Sequence, residues 1–166
     1  KFEQPRHFIT SGGLGTMGLG FPAAIGAQFA NPHDCVICIS GDGSFQMNMQ
    51  ELAIVKKYKL PVKVFILDNS VLGMVRQFQT VFYDHRYSAT NLDGNPDFAK
   101  LAEAYGFKGI RVTDESKLES TVREVLKAKD EFILVDVITD TNTKVMPWLR
   151  ANGSMVDMML NDEENK

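Results

Sequence analysis

The chain has 166 residues, 44% of them hydrophobic, with a formal charge of −3, a pI near 5.6 and two cysteines. That length suffices for one α/β domain burying about 70% of the surface its unfolded chain would expose, and the acidic balance excludes the clustered Lys and Arg that nucleic-acid phosphates demand. No apolar run reaches the roughly 20 residues needed to span a bilayer. The opening "KFEQPRHF" lacks an initiating Met and any basic or apolar leader pattern, so residues 1–166 are expected to be a domain cut from a longer polypeptide; the two cysteines, read as structural thiols, fit a reducing cytoplasmic setting.

In chain order, "HFIT" (7–10) reads as a first strand. It is followed by "SGGLGTMGLG" (11–20), where Gly13-x-Gly15-x-x-Gly18 has the spacing that lays a dinucleotide pyrophosphate against a helix N-terminus. A lone match to that spacing in a glycine-bearing loop is weak evidence of dinucleotide binding. "GFPAAIGAQFA" (20–30) reads as the helix. "CVICIS" (35–40) reads as a second strand, on which Cys35 and Cys38 would point to opposite faces and share neither metal nor disulfide; both are expected to be buried small hydrophobes.

"NMQELAIVKKYK" (48–59) predicts a helix with a capping box of Asn48 and Glu51 and a stop at Pro61. "VKVFILD" (62–68) is the third strand. Residues 79–94, "QTVFYDHRYSATNLDG", read as a long irregular segment of the kind used as lids, with His85 a solvated loop histidine; His7 and His33 read as structural. Asn95-Pro96-Asp97 opens a helix over 97–106 with Pro96 near its first turn and Gly106 closing it. "GIRVT" (109–113) and "FILVDVI" (132–138) are further strands, and between them "ESKLESTVREVLKAK" places Leu118, Val122, Val125 and Leu126 on one helix face. The alternation predicts a doubly wound α/β fold, a mostly parallel sheet with helices on both faces.

Two strand ends carry chemistry. One ends in Gly41-Asp42-Gly43-Ser44 and the next in Asp68-Asn69, and the 24 residues between Gly43 and Asp68 suffice for a loop, a helix and a return strand. Both ends then lie at the carboxyl edge of the sheet, where open α/β sheets bind ligands. A carboxylate, an amide oxygen and nearby carbonyls are hard donors suited to Mg²⁺ shared with phosphate oxygens. The flanking glycines let backbone N–H groups approach a diphosphate, and the Ser44 hydroxyl is a further donor.

"GDG" followed after this interval by Asn resembles the thiamine-diphosphate-binding signature, with Asp68 in place of the usual first Asn. The longer strings "PRHFITSGGLGTMGLGFPAAIGAQ", "GDGSFQMNMQELA", "LPVKVFILDNSVLGMVRQFQTVFYDHRYS" and "VMPWLRANGSMVDMM" resemble the C-terminal domain of the acetolactate synthase catalytic subunit family. The resemblance implies a thiamine-diphosphate-binding fold, with Mg²⁺ held by Asp42, Asn69 and the carbonyl of Val71. It implies cofactor contacts from Gly15, Thr16, Met17, Gly41, Asp42, Gly43, Ser44, Asn69, Val71, Leu72, Gly73 and Met74. The Gly15 carbonyl would accept from the aminopyrimidine amino group, the Met17 N–H would meet a ring nitrogen, and the Met17 thioether would wedge the cofactor into its bent form; without the strand-end pair, Met17 would read as core.

Met74, Val75 and Phe78 would line the substrate pocket, and many members of the family carry Trp at the position of Phe78. The resemblance implies a transferase that decarboxylates pyruvate and passes the two-carbon unit to pyruvate or 2-oxobutyrate in branched-chain amino-acid biosynthesis. It further implies a three-domain parent, FAD on the middle domain, an activating Glu on the N-terminal domain across a dimer interface, a dimer or tetramer, and a regulatory small subunit. These 166 residues would then contain no catalytic residue and be inactive alone. The segment around His85 and Arg86 resembles one that orders over the cofactor with the C-terminal tail. Pyruvate oxidase, pyruvate decarboxylase, glyoxylate carboligase and a non-catalytic dinucleotide-binding module are the other readings of the strand-end pair and the glycine-rich loop.

Overall fold

Among the described residues, four runs rich in β-branched residues form the strands β1 (Ile37–Gly41), β2 (Lys63–Asp68), β3 (Lys108–Val112) and β4 (Ile133–Ile138). They pair in the order β1-β2-β4-β3, every neighbour parallel. The computed structural model describes residues 4–149 and 153–160. The strands belong to one of two units, formed by the chain up to Asn69 together with Gly94–Thr139; the second comprises Ser70–Asp93 and the residues from Asp140 onward.

In the first unit, α1 (Gly20–Ala30), α2 (Asp42–Gln46), α3 (Leu52–Tyr58) and α5 (Phe98–Ala104) contribute to the core on one sheet face, and α6 (Leu118–Lys127) covers the other. Phe21, Phe45, Leu52, Val64, Ile66, Phe98 and Leu134 fill the first core. Phe65, Val112, Val125, Ile133 and Val135 fill the second. Alternate residues of β2 and β4 thus enter opposite cores, which is why both strands read as continuous apolar runs.

Several local expectations are corrected. Residues 7–10 form no strand, and Phe8 and Ile9 are exposed; an apolar run becomes a strand only where a partner strand takes its backbone hydrogen bonds. Cys35 lies outside β1 and is exposed, whereas Cys38 is buried and burial pushes its thiol up to about 11. Asn48 makes no capping box: its amide donates instead to the Gly18 carbonyl (2.8 Å), and a 3-10 turn over Met49–Glu51 leads into α3. Pro96 lies next to the first turn of α5 as expected, immediately before the cap Asp97, whose carboxylate accepts from the Lys100 N–H (3.0 Å). Gly106, at φ 76°, does close α5, with Gly106 and Phe107 N–H groups returning to the carbonyls of Glu103 and Ala102. On α6, Thr121 is buried where Leu126 was expected, because the apolar stripe runs through Leu118, Val122 and Val125 and leaves Leu126 at its rim.

The second unit contains a helix the sequence patterning missed, α4 (Gly73–Phe82), so the segment expected to be irregular from residue 79 begins as helix. Its flanks close on each other: Leu72 N–H donates to Thr90, Leu92 N–H to Ser70, and Val71 and Asn91 bridge antiparallel. The loop after α4 is stitched back to it by Gln79, which donates to the Ser88 carbonyl (2.9 Å) and accepts from the Ser88 N–H (3.2 Å). Further on, Trp148 and Met159 exchange two backbone hydrogen bonds. Among the described residues, no helix is long and apolar enough to cross a membrane.

Candidate functional site

The parallel register sets Gly41 opposite Leu67 and Asp68 opposite Ile138, so the segments after β1, β2 and β4 start side by side at one sheet edge. Asp42, the first residue of α2, and Asp68, the last of β2, are both buried there, and Asn69 is half-buried. Asn95, in the approach to α5, links the two carboxylates: its Nδ2 donates to Asp42 Oδ2 (2.7 Å) and Asp68 Oδ1 (3.2 Å), while its Oδ1 accepts from Gln46 Nε2 (2.6 Å). Burial, reinforced by the neighbouring Asp68 carboxyl, pushes the Asp42 carboxyl above its ordinary range against the opposing pull of Asn95.

A third buried acid stands behind them on β4. Asp136 is fully buried, neither of its oxygens has a hydrogen-bond partner, and burial with the Asp68 charge raises its carboxyl to about 6.

The glycine-rich loop opens onto α1 but follows no strand, so the context required of a dinucleotide fingerprint is missing. Two of its glycines occupy left-handed backbone, Gly15 at φ 63° and Gly18 at φ 86°. At Gly18 an added Cβ would fall 2.7 Å from the Asn48 amide. The Gly18 N–H donates to Ser44 Oγ (2.9 Å), which ties this loop to the Gly-Asp-Gly-Ser turn and uses a lone pair of Ser44 while sparing its proton. Thr16 N–H is held by Ser11 Oγ (2.8 Å). Met17 is 42% exposed and is not core.

This donor set fits Mg²⁺ with a diphosphate. A buried, charge-crowded carboxylate at Asp42 is relieved by a divalent cation, and space is open on the side of Gly41 where a Cβ would stand. Among the described residues there is no cluster of three His, Cys, Asp or Glu side chains suited to a metal.

The remaining sequence-derived positions lie in the second unit. Val71 sits in the antiparallel bridge with Asn91, followed by Leu72 and then Gly73, the first residue of α4. Met74, Val75 and Phe78 are exposed along that helix. Phe78 packs edge-on against Trp148 (5.1 Å between centroids, 83°) and beside Phe82 (5.6 Å). Gln77 anchors Val145 at both backbone groups, accepting its N–H (2.8 Å) and donating to its carbonyl (3.3 Å). A polar cavity of about 320 Å³ lies beside this anchor, between Arg76, His85, Tyr87 and Lys144. The Arg76 guanidinium stacks 3.8 Å from the Tyr87 ring centre, and His85 is exposed, as are His7 and His33.

The family described as "Thiamine pyrophosphate enzyme, C-terminal TPP binding domain" matches residues 1–137. The chain belongs to that family. It is similar to the acetolactate synthase large subunit of Haemophilus influenzae, 44% identical over 165 residues, covering 99% of this chain and 29% of that protein. It is also similar to the acetolactate synthase isozyme 2 large subunit of Escherichia coli K12, 48% identical with 94% and 28% covered. A third relative is the acetolactate synthase of Arthrospira platensis, 50% identical with 93% and 27% covered. The chain thus spans little more than a quarter of the length of these curated relatives. The strand-end acids lie at the carboxyl edge of the parallel sheet, the edge at which open α/β sheets bind ligands.

Sequence patterning missed Asn95, Gln46 and Asp136. Asn95 already had a backbone reading as part of the helix opening, and nothing in "NPD" reveals where its amide points. Asp136 did leave a signal, a lone carboxylate inside the apolar run "FILVDVI".

Proposed function

We propose that this chain holds the diphosphate of thiamine diphosphate through Mg²⁺ as the C-terminal domain of an acetolactate synthase large subunit. The observation carrying this reading is the pair of buried acids Asp42 and Asp68 at neighbouring strand ends, with Asn69 next in the chain. Asp42 and Asn69 supply metal oxygens, and the family resemblance adds the Val71 carbonyl. The Gly41 to Ser44 turn offers N–H and O–H donors to phosphate oxygens, while Gly15, Thr16 and Met17 meet the aminopyrimidine. When bound, the cofactor supplies the carbanion chemistry that no amino-acid side chain provides. Leu72, Gly73 and Met74 are the cofactor contacts proposed in the second unit, and Met74, Val75 and Phe78 shape the pocket for the acceptor 2-oxo acid.

The parent protein decarboxylates pyruvate and joins the two-carbon unit to pyruvate or 2-oxobutyrate. It carries FAD and an activating Glu on other domains, works as a dimer or tetramer, and pairs with a regulatory small subunit. These residues alone lack the Glu and do not turn over.

Calorimetric titration with thiamine diphosphate and Mg²⁺, against NAD and FAD, tests the domain. Binding of the first pair only, lost in Asp42→Ala, is the expected result; NAD or FAD binding in its place overturns it. For the parent, the product decides: acetolactate supports the reading, whereas acetyl phosphate, acetaldehyde or tartronic semialdehyde assigns another enzyme of the superfamily. Turnover by the 166 residues alone would refute the missing-Glu part.

A further inference from the structure

Asn95 brings a single amide between two buried carboxylates. A primary amide has two N–H donors on its nitrogen and acceptor capacity on its oxygen. Gln46 Nε2, 2.6 Å from Asn95 Oδ1, fixes which end is which, because the reversed amide would set nitrogen against nitrogen there and oxygen against both carboxylates. The two Asn95 protons are therefore divided between Asp42 Oδ2 and Asp68 Oδ1.

We propose that Asn95 is the positioning residue for the metal-binding carboxylate of Asp42, and that Gln46 fixes its orientation. The inference rests on the reading of Asp42 as the Mg²⁺ ligand given above. Asn95 holds Oδ2 at 2.7 Å and the Gly43 N–H also donates to this carboxylate, so Asn95 is the side-chain member of the pair of donors that sets its direction. Mg²⁺ tolerates little departure from octahedral geometry, so a carboxylate free to rotate binds it more weakly. Asn95 has a second effect: it is the donor between Asp42 and Asp68, two like charges buried together. The two acids are already within hydrogen-bonding reach of each other, so removing Asn95 takes away a donor they share and leaves their contact uncompensated. Replacing Asp68 with Asn gives Asp42 a neighbour that can itself donate, so this second change restores what the first removes.

The test is calorimetric titration of Mg²⁺ with thiamine diphosphate into the wild type, Asn95→Ala, Gln46→Ala, Asp68→Asn and the Asn95→Ala/Asp68→Asn double variant. The thermal midpoint of each metal-free protein is recorded beside it. Loss of a residue that orients a metal ligand typically costs about 10–100-fold in affinity, and that is the fall expected for Asn95→Ala. For Gln46→Ala about 3–10-fold is expected by the same argument at one remove, and the double variant is expected to recover most of the loss. A purely structural role predicts lowered midpoints with unchanged Mg²⁺ affinity and no rescue, and that result overturns the proposal. So does a folded Asn95→Ala with wild-type affinity. Should Asn95→Ala fail to fold, Gln46→Ala decides: weakened binding supports the proposal and wild-type binding overturns it. A wild type with no Mg²⁺-dependent binding overturns the underlying reading; a wild type that binds, with variants that bind equally, overturns only this one.

Discussion

Arg111 Nε stands 3.7 Å from Oδ2 of Asp136, close enough for attraction and too far for a hydrogen bond. Asp136 is thus a fully buried acid with a distant, half-exposed partner, and its carboxyl is raised to about 6. Unfolded, it titrates near 3.9. A raised folded value means the stabilisation is complete below about pH 3.9 and is lost as pH climbs through 6. The difference between the folded and unfolded carboxyl is worth about 3 kcal/mol at most. Asp136→Asn cannot titrate, so its stability relative to wild type should rise by about 2–3 kcal/mol between pH 4 and pH 7.5. Urea unfolding of the metal-free proteins at both pH values measures this; an equal difference at the two would refute it.

Gly109 on β3 lies directly beneath α5. A Cβ there would come 2.1 Å from the Ala99 carbonyl oxygen, a backbone atom that cannot swing aside. Gly109→Ala should therefore displace the helix and destabilise by about 3 kcal/mol, the upper part of the usual overpacking range. Because α5 follows directly on Asn95, the variant should also weaken Mg²⁺-dependent cofactor binding. Unfolding midpoints within error of wild type would show that the helix has room to spare.

Met17 stands partly exposed on a loop pinned at both sides, by Ser11 to Thr16 and by Ser44 to Gly18. A side chain so placed contributes little to folding and is available to a ligand ring, against which an unbranched thioether packs well. Met17→Ala should leave the thermal midpoint within about 2 °C, since surface changes are usually within about 0.5 kcal/mol. Thiamine diphosphate affinity should fall about tenfold, comparable to losing one ring contact. Unchanged affinity would remove Met17 from the proposed site.

Phe78 presents an aromatic wall from α4 and is braced by Trp148. An indole is larger and adds an N–H donor. In the full-length protein, Phe78→Trp should increase the preference for 2-oxobutyrate over pyruvate as acceptor by about tenfold, the lower end of what one methylene of contact is worth in an apolar pocket. Competition between the two acids at fixed total concentration provides the ratio. A ratio that stays constant or moves toward pyruvate speaks against Phe78 as the acceptor wall.

How far the sequence could be read followed from what each signal depends on. β2 and β4 are legible to within a residue because burial on both faces writes a continuous apolar run. "HFIT" carries the same local signal and forms no strand, since pairing is decided by a neighbour and not by the run itself. α4 escaped notice because "GMVRQFQTVF" interleaves polar with apolar residues and opens on glycine, and α2 because it has five residues. At the site, Asp42 and Asp68-Asn69 stood out as polar punctuation at the ends of apolar strands. The Asn95 bridge did not, because a side chain reaching 53 positions back along the chain leaves no periodicity.

Ile37 and Ile39 lie on β1, which borders the sheet, with 46% and 68% of their surfaces exposed. α6 shelters the same face farther along, over β4 and β3, and stops short of them. Among the described residues β1 has no strand on its outer side, so branched apolar side chains stand at an open sheet edge. That combination is a template on which another extended chain can grow. Concentrated preparations of this chain should accordingly form β-rich assemblies, and a lysine at position 39 should delay their onset without touching the ligand edge.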